Sequence, residues 1–444
     1  MKKLLGSFHL TTPFFVCTGL LSILFVASHF FAALWLPARL VFFAFLLACA
    51  LETLFLYRLP TGLSAQRILP ERLSNGDENL ISITIQNGYE FSTDLEVIDE
   101  IPYQFQVRDR SFTVQVPSGK EHSIQYKLRP TERGVYAFGH LNIFASTQLG
   151  LVQRRYQFES PVSIPVYPSF LQMRSFEIMA ASNRLQEFGV KKIRRIGNTL
   201  EFESIKEYVV GDDPRTVNWR ATARRGELMV NQFQDEREQP MYCMIDAGRV
   251  MEMPFENLTL LDYSINASLV IGNVALKKQD RVGLISFSNK VDRVLPAASG
   301  MRQLGNLMER LYALETGYLE TDYERLYSAV RHQIKQRSLI LLFTNFESLA
   351  ALKRQLPYLK AIARNHLLVV IFFENTELTS VASLPPTNVE AIYIKTIASQ
   401  FLLQKQEIVM ELRKHGIQSV LTRPEHLSVK TLNKYLELKA RGLF

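Results

Sequence analysis

The stretch MYCMIDAGRVM at residues 241–251 decides the fold of the C-terminal half of this chain. It opens with five apolar residues and reaches Asp246, after which a glycine-containing loop follows. Downstream, apolar strands near 282–287, 339–343, 367–373 and 418–421 alternate with helices near 260–278, 301–314, 323–336, 349–364 and 399–415. Continuous apolar strands between amphipathic helices predict a parallel, Rossmann-like sheet covered on both faces. We therefore predict an α/β domain over residues 241–444.

The rest of the chain must hold further domains. Its 444 residues are too many for one compact core, since single cores stop growing near roughly 250–300 residues. The formal net charge of +8 suits a protein beside an anionic membrane surface as well as a nucleic-acid partner. The basic cluster at 191–195 has no interleaved aromatic residues, so we expect no nucleic acid. Cys17, Cys49 and Cys243 lie in apolar runs, which indicates a reducing compartment.

Two apolar runs near the N-terminus predict a transmembrane hairpin over residues 1–60. Pro13 to Leu36 carries no fixed charge, and Leu40 to Tyr57 carries only Glu52. Each run supplies the roughly 20 apolar residues of a membrane span, so we predict helices at about 12–33 and 37–57. A cleaved signal peptide is the alternative for the first run. That run is long, lacks a clear cleavage site and is followed at once by a second apolar stretch.

The charges that flank these runs predict their orientation. The connection between the runs has only Arg39, whereas the outer ends carry Lys2, Lys3, Arg58, Arg67 and Arg72. The positive-inside rule then places both ends in the cytoplasm. We predict a two-pass protein of the bacterial cytoplasmic (inner) membrane with its soluble domains facing the cytoplasm. We expect Glu52 to snorkel or pair near the membrane interface, not to serve transport.

Residues 61–168 show alternating short stretches that predict an all-β, immunoglobulin-like sandwich of about seven strands. The stretches lie at 80–85, 95–98, 112–116, 123–128, 137–144 and 162–166. Turn sequences separate them, as at Ser74-Asn75-Gly76-Asp77, Asn87-Gly88 and Pro117-Ser118-Gly119. Nothing in this region indicates catalysis.

Residues 201–230 read EFESIKEYVVGDDPRTVNWRATARRGELMV and break the sandwich pattern. This run closely resembles the signature of the DUF58 family, bacterial membrane proteins with a von Willebrand factor A-like C-terminal part. Two departures are visible, because Lys206 stands where the family usually shows Arg and Asn218 where Asp is common. The resemblance implies the order of a hairpin, a β-rich domain, a signature segment at 169–240 and a von Willebrand factor A-like domain. It also implies partnership with a MoxR-type AAA+ ATPase in the assembly or maturation of protein complexes.

The signature segment has two interpretations. Gly211, the acidic pair at 212–213 and Pro214 form a strong turn, whose carboxylates Arg215 and Arg224 could pair. With Trp219 these residues could anchor a partner, or a buried Trp219 could join two domains. The candidate interaction residues are Glu201, Phe202, Tyr208, Gly211, Asp212, Asp213, Arg215, Asn218, Trp219 and Arg224.

The loop after Asp246 predicts a degenerate metal site. It resembles the first loop of a von Willebrand factor A domain, where Asp-x-Ser-x-Ser supplies oxygens to a divalent cation. Gly248 and Val250 stand in place of both serines, and Asn345 follows the later strand where the second Asp is usual. Mg²⁺ is coordinated by about six oxygen ligands, and this loop offers too few of them even if Thr321 or Asp322 contributes. We therefore expect no cofactor and no tightly bound metal. Asp246 would then cap a helix or accept backbone hydrogen bonds.

No catalytic motif is visible in the sequence. It contains no Gly-x-Ser-x-Gly elbow, His-Glu-x-x-His, phosphate-binding loop or Cys-x-x-Cys. We therefore predict a membrane-anchored, non-enzymatic interaction or adaptor protein working with a MoxR-type ATPase. One alternative is a divalent-cation-dependent, adhesion-type receptor, which would need a rebuilt metal site. A second is a membrane hydrolase that uses no recognised motif.

Overall fold

The structure is a computed structural model that describes residues 6–107, 110–158, 161–173, 200–209, 212, 214–235, 239–255, 258–385 and 388–444. The basic cluster at 191–195 and the predicted residues Gly211 and Asp213 lie outside these ranges. The chain divides into two compact units, Met1–Tyr167 and Pro168–Phe444.

The first unit opens with a short strand and two apolar helices. These are β1 (Phe8–Leu10), α1 (Thr12–Phe30) and α2 (Trp35–Tyr57). Thr11 caps α1 by accepting a hydrogen bond from the backbone N–H of Phe14, and proline in the first turn fixes the helical φ. Both helices are long and apolar enough to cross a membrane. Their large side chains are mostly exposed, and so much continuous apolar surface is unfavourable in water.

The remainder of the first unit is β-rich. Its strands are β2 (Leu63–Ile68), β3 (Leu73–Ser74), β4 (Asn79–Asn87), β5 (Thr93–Asp99), β6 (Ser111–Val116), β7 (Glu121–Leu128), β8 (Gly134–Phe138), β9 (Leu141–Ser146), β10 (Val152–Phe158) and β11 (Val162–Tyr167). They form sheets in the orders β1-β10-β9-β5-β6, β2-β4-β7 and β3-β11-β8. Alternate residues of β4, such as Ile81, Ile83 and Ile85, enter one core shared by these sheets.

The strand count differs from the prediction of about seven. Within the described part of residues 61–168 there are ten strands, β2 to β11. The predicted strand at 137–144 is two strands, because a turn at Gly139 and His140 separates β8 from β9. Strand β10 escaped prediction because its central residues are Gln, Arg, Arg and Tyr, which mask the apolar alternation of a strand.

Glu52 of α2 is a buried hydrogen-bond acceptor. Its carboxylate accepts from the Thr147 hydroxyl and from the backbone N–H groups of Leu151 and Val152, at 3.0 and 3.1 Å for the two N–H groups. The residue is only 2% exposed, so of the two expectations for Glu52 the carboxylate does not snorkel to water but has hydrogen-bond partners within the protein. The carboxylate instead satisfies two backbone donors at the start of β10, which burial would otherwise leave unpaired.

Arg154 of β10 binds the C-terminal end of α2. Its guanidinium donates to the carbonyl oxygens of Leu56, Leu59 and Pro60, at 2.6, 2.7 and 2.9 Å. A cation at a helix C-terminus stabilises the unpaired carbonyls and the helix dipole. Strand β1, which immediately precedes α1, also pairs with β10. Both ends of the hairpin are therefore fixed to one strand and face the same side.

We predict that Glu52→Leu destabilises the first unit more than Glu52→Gln. Leucine leaves two buried N–H groups without an acceptor, which should cost about 3 kcal/mol of unfolding free energy, whereas glutamine keeps one carbonyl oxygen. Thermal unfolding and limited proteolysis of the full chain in detergent would measure both changes. Equal stability of the leucine variant and the wild type would show that the carboxylate does not hold the hairpin to β10.

The second unit contains a two-stranded arm and a six-stranded sheet. The arm consists of β12 (Leu200–Glu207), α3 (Trp219–Arg225) and β13 (Met229–Asp235). The sheet strands are β14 (Pro240–Asp246), β17 (Arg281–Phe287), β18 (Val291–Ala298), β19 (Leu339–Phe343), β20 (Leu367–Phe373) and β21 (Gln418–Thr422). A short hairpin of β15 (Pro254–Phe255) and β16 (Leu258–Thr259) lies between β14 and β17 in the chain.

The sheet is mixed, not wholly parallel as predicted. Its order is β18-β17-β14-β19-β20-β21, and β18 runs antiparallel to β17 while the other pairs are parallel. The unpredicted strand β18 is an edge strand and contains Pro296. Proline cannot donate to a strand ladder and is confined to such edges, which explains why the sequence there does not read as a central strand.

Helices cover both faces of the sheet and build two cores. They are α4 (Leu260–Lys277), α5 (Met301–Tyr312), α6 (Tyr323–Gln333), α7 (Leu349–Asn365), α8 (Thr376–Ser383), α9 (Val389–Lys414) and α10 (Leu427–Ala440). Successive residues of β14 point to opposite faces, so that Cys243 and Ile245 enter one core and Tyr242 and Met244 the other. Helices α8 and α10 were not predicted, and α9 starts ten residues before the predicted position.

Candidate functional site

Asp246 lies at the carboxyl end of β14, between β17 and β19. The chain leaves β14 toward β17 and later returns to β19 on the other side, so β14 marks the switch point of the sheet. Ligands of open α/β sheets bind at such points. A shallow cavity of about 120 Å³ opens there, and its lining includes Asp246, Arg249, Thr321 and Asn345.

The Asp246 carboxylate is fully buried and held by three donors. Its Oδ1 accepts from the Gly248 N–H at 2.8 Å and from the Thr321 hydroxyl at 2.6 Å. Its Oδ2 accepts from the Thr344 hydroxyl at 2.7 Å. Burial raises the pKa of Asp246, and the three hydrogen bonds oppose that rise. The prediction that Asp246 accepts a backbone hydrogen bond is met by the Gly248 N–H.

Position 248 requires glycine because there is no room for a side chain, not because the backbone adopts an unusual conformation. Its φ of −79° is open to any residue. A Cβ added there would lie 2.2 Å from the Thr321 Oγ1 and 3.0 Å from the Leu319 carbonyl oxygen. The Thr321 side chain thus fills the space that a longer side chain at 248 would need. Backbone bonds from Arg249 to Leu319 and from Gly317 to Ala247 hold the two segments together.

Asn345 is also committed to internal partners. Its Oδ1 accepts from the Lys405 ammonium at 2.7 Å, and the same ammonium donates to the Phe346 carbonyl oxygen at 2.6 Å. Asp322 does not approach Asp246 as a ligand would, because its carboxylate caps α6 by accepting from the Arg325 N–H. Of the two compensating residues considered from sequence, the structure brings Thr321 to Asp246.

These residues do not fit the divalent cation that the resemblance implies. Gly248 and Val250 offer no side-chain oxygen, and hydrogen bonds already engage both carboxylate oxygens of Asp246 and the Oδ1 of Asn345. Within the described ranges, His, Cys, Asp and Glu side chains do not gather in any group of three that could hold a metal. A cation would have to break existing hydrogen bonds to acquire its ligands.

The signature arm has its own internal order. The Lys206 ammonium pairs with Asp212 at 2.9 Å, and the same carboxylate accepts from the Val209 N–H at 3.0 Å. Asn218 caps α3 by accepting from the Ala221 N–H, and its amide donates to Asn231. The two departures from the family pattern, Lys206 and Asn218, therefore pair and cap as an Arg and an Asp would.

Trp219 is 73% exposed at the start of α3. The suggestion that a buried Trp219 joins two domains is therefore wrong. Asp212 pairs with Lys206, not with the suggested Arg224. Arg224 is exposed and Tyr208 half-buried, while the side chains of Glu201, Phe202 and Arg215 lie outside the described part.

The arm carries other exposed apolar and basic residues besides Trp219. The apolar ones are Ile205, Val209 and Leu228, and the basic ones are Arg220, Arg224 and Arg225. The sequence analysis named Trp219 and Arg224 but missed the apolar neighbours. Their exposure depends on the strand pairing of the arm, which residue type alone does not give.

Cys243 is unsuited to nucleophilic chemistry. It lies within β14, and burial raises the pKa of its thiol to about 12. Nucleophilic cysteines need an accessible thiolate. Its contacts are those of a core residue, as its place in an apolar run suggests.

Comparison with known proteins supports the resemblance drawn from residues 201–230. A family model described as "Protein of unknown function DUF58" matches residues 204–386. An uncharacterized protein of Bacillus subtilis (strain 168), YeaD, is 25% identical over 266 residues, covering 58% of this chain and 64% of that protein. The matched part of the chain thus spans less than two thirds of that relative.

Solved structures show weaker similarity. The conserved hypothetical protein BatB from Bacteroides thetaiotaomicron is 14% identical, with 46% of this chain and 99% of that chain covered and a TM-score of 0.31. Proximal thread matrix protein 1 from the mussel byssus is 10% identical, with 47% and 46% covered and a TM-score of 0.27.

We predict that Gly248→Ala destabilises the second unit and that Thr321→Ala relieves most of this effect. The new Cβ must displace the Thr321 hydroxyl from Asp246, which should cost about 2 kcal/mol in unfolding free energy. In Gly248→Ala/Thr321→Ala the 2.2 Å contact with the Thr321 hydroxyl is absent, so the double variant should lose less than the sum of the single losses. Unfolding in denaturant would measure the cycle. Gly305→Ala is the control, since a Cβ there meets nothing within 4 Å. Additive losses would contradict the shared space.

We also predict that divalent cations do not stabilise the protein. The thermal midpoint of the full chain should be equal in Mg²⁺, in Mn²⁺ and in EDTA, because a ligand raises the midpoint only by binding the folded state. Asp246→Ala should lower the midpoint equally in all three conditions, since three donors lose their acceptor. If Mg²⁺ raised the thermal midpoint of the wild type but not that of Asp246→Ala, the result would favour the cation-dependent receptor instead.

Proposed function

We propose that this protein is a membrane-anchored, non-enzymatic adaptor that binds a MoxR-type AAA+ ATPase and helps it to assemble or mature other protein complexes. Its partner is implied by the DUF58 resemblance. In this proposal the β-rich domain is immunoglobulin-like and the C-terminal domain von Willebrand factor A-like. The hairpin anchors both on the cytoplasmic side of the bacterial inner membrane.

The exposed Trp219 is the observation that carries this proposal. Tryptophan and arginine are over-represented among residues that dominate binding free energy, and α3 carries the exposed indole together with the exposed Arg220 and Arg224. The arm is internally ordered by the Lys206–Asp212 pair and the Asn218 cap, so binding would need little reorganisation.

The Asp246 region supports binding over bond-making. The carboxylate is enclosed by Gly248, Thr321 and Thr344 and is not accessible as a general base to a substrate. A general base must reach the proton that it abstracts. The cavity next to Asp246 is lined by Arg249, Glu320 and Arg354. Side chains of both charges suit a polar interface with another protein.

We predict that Trp219→Ala weakens binding to a MoxR-type ATPase from the same genome by about 30-fold, because loss of a central aromatic anchor typically costs about 2 kcal/mol. The full chain in detergent would be immobilised and the ATPase titrated with ATP present. Tyr103→Ala is the matched control, since Tyr103 is 87% exposed but lies in the first unit. Equal affinities of wild type and Trp219→Ala would reject the arm as the interface. No binding by the wild type would reject the ATPase partner.

A further inference from the structure

A second, larger cavity lies at the carboxyl ends of β19, β20 and β21. It measures about 270 Å³, near the lower end of the roughly 300–1,000 Å³ typical of small-molecule sites. Its walls are mainly apolar and come from the β15–β16 hairpin, the end of β20 and helices α8 and α9. The apolar lining residues are Met253, Pro254, Phe255, Leu260, Phe373, Leu378, Phe401, Leu402 and Pro424.

One end of this cavity carries the ammonium group of Lys405. The ammonium donates to the Asn345 Oδ1 and the Phe346 carbonyl oxygen, and lies 5.8 Å from the centre of the Phe372 ring. Both acceptors are neutral, so the described residues form no ion pair with Lys405. Burial lowers the pKa of Lys405 to about 8, although the negative charge of Glu347 opposes that fall.

Two hydrogen-bond donors remain at this end. An ammonium has three N–H groups, and two of those of Lys405 have acceptors in the described part of the chain. The Asn345 amide also has N–H donors, for which the described residues supply no acceptor. Both residues line the cavity. A ligand with two acceptor oxygens on one atom would meet both donors, and its negative charge would strengthen the hydrogen bond from Lys405.

We propose that this cavity binds a medium-chain aliphatic monocarboxylate, with its carboxylate at Lys405 and Asn345 and its chain against Phe255, Phe373 and Phe401. Glu347, Glu374 and Glu377 also line the cavity, and Glu374 lies 3.9 Å from Arg423. These carboxylates repel a second anionic group, so the site favours one carboxylate with an uncharged tail. This site is independent of the ATPase partnership proposed above.

The test is protection of the Lys405 amine in the full chain reconstituted into zwitterionic nanodiscs. Acetylation by acetic anhydride would be followed by peptide mass spectrometry with octanoate, octanol or the dicarboxylate suberate. We expect octanoate to slow acetylation of Lys405 about tenfold more than octanol does, because only octanoate offers a charge-assisted hydrogen bond. Suberate should protect weakly. Exposed Lys360 of α7 is the internal control, and its rate should not change.

Two variants separate the two ends of the ligand. Lys405→Met keeps the aliphatic part of the side chain but removes the charge. In this variant octanoate should raise the thermal midpoint only as much as octanol does. Phe401→Asp places a carboxylate in the apolar wall at a residue that is 44% exposed. It should abolish octanoate protection without changing the acetylation rate of Lys405 in the absence of ligand.

Three outcomes would overturn the proposal. Equal protection by octanol and octanoate would show that the Lys405 end does not recognise a carboxylate. Protection by suberate equal to that by octanoate would show that the glutamates do not select for one charge. No protection by octanoate at millimolar concentration would show that the cavity does not take this class of ligand.

Discussion

Burial of the Asp246 carboxylate is the constraint that organises the second unit. An ionised carboxylate cannot be taken out of water unless donors replace its hydration. Those donors come from its own loop, from the segment before α6 and from the end of β19. Thr321 can approach only because residue 248 has no side chain. The requirement of one carboxylate thus fixes three separate segments at the switch point of the sheet.

The first unit solves a similar problem with Glu52. A carboxylate in an apolar helix would be costly, but two backbone N–H groups at the start of β10 need an acceptor. Arg154 shows the opposite arrangement of charge near the same C-terminal end of α2, where its guanidinium donates to unpaired carbonyls. The hairpin is therefore attached through hydrogen bonds to backbone groups that water would otherwise bind. Such hydrogen bonds specify the position of the hairpin more precisely than side-chain packing alone would.

The sequence predicted what depends on local pattern. The apolar runs gave both hairpin helices, and the strands around Asp246 gave the α/β alternation. Contacts between distant residues were beyond reach, since Glu52 meets donors about a hundred residues away. The start of α9 was missed because Val389, Ile392, Ile394 and Ile397 are β-branched and lower helix propensity. The contact of Lys405 with Asn345 was not predicted either, because the two residues lie 60 positions apart and no local pattern connects them.

Asn345 connects the two cavities of the second unit. It stands where the resemblance places a second metal-ligating Asp, and it lines both the Asp246 cavity and the Lys405 cavity. An Asp at 345 would pair directly with the Lys405 ammonium and neutralise it. Asn345 instead accepts a hydrogen bond from Lys405 and keeps N–H donors of its own. The amide thus gives the proposed carboxylate ligand a donor beside the Lys405 ammonium, which an Asp side chain would not provide.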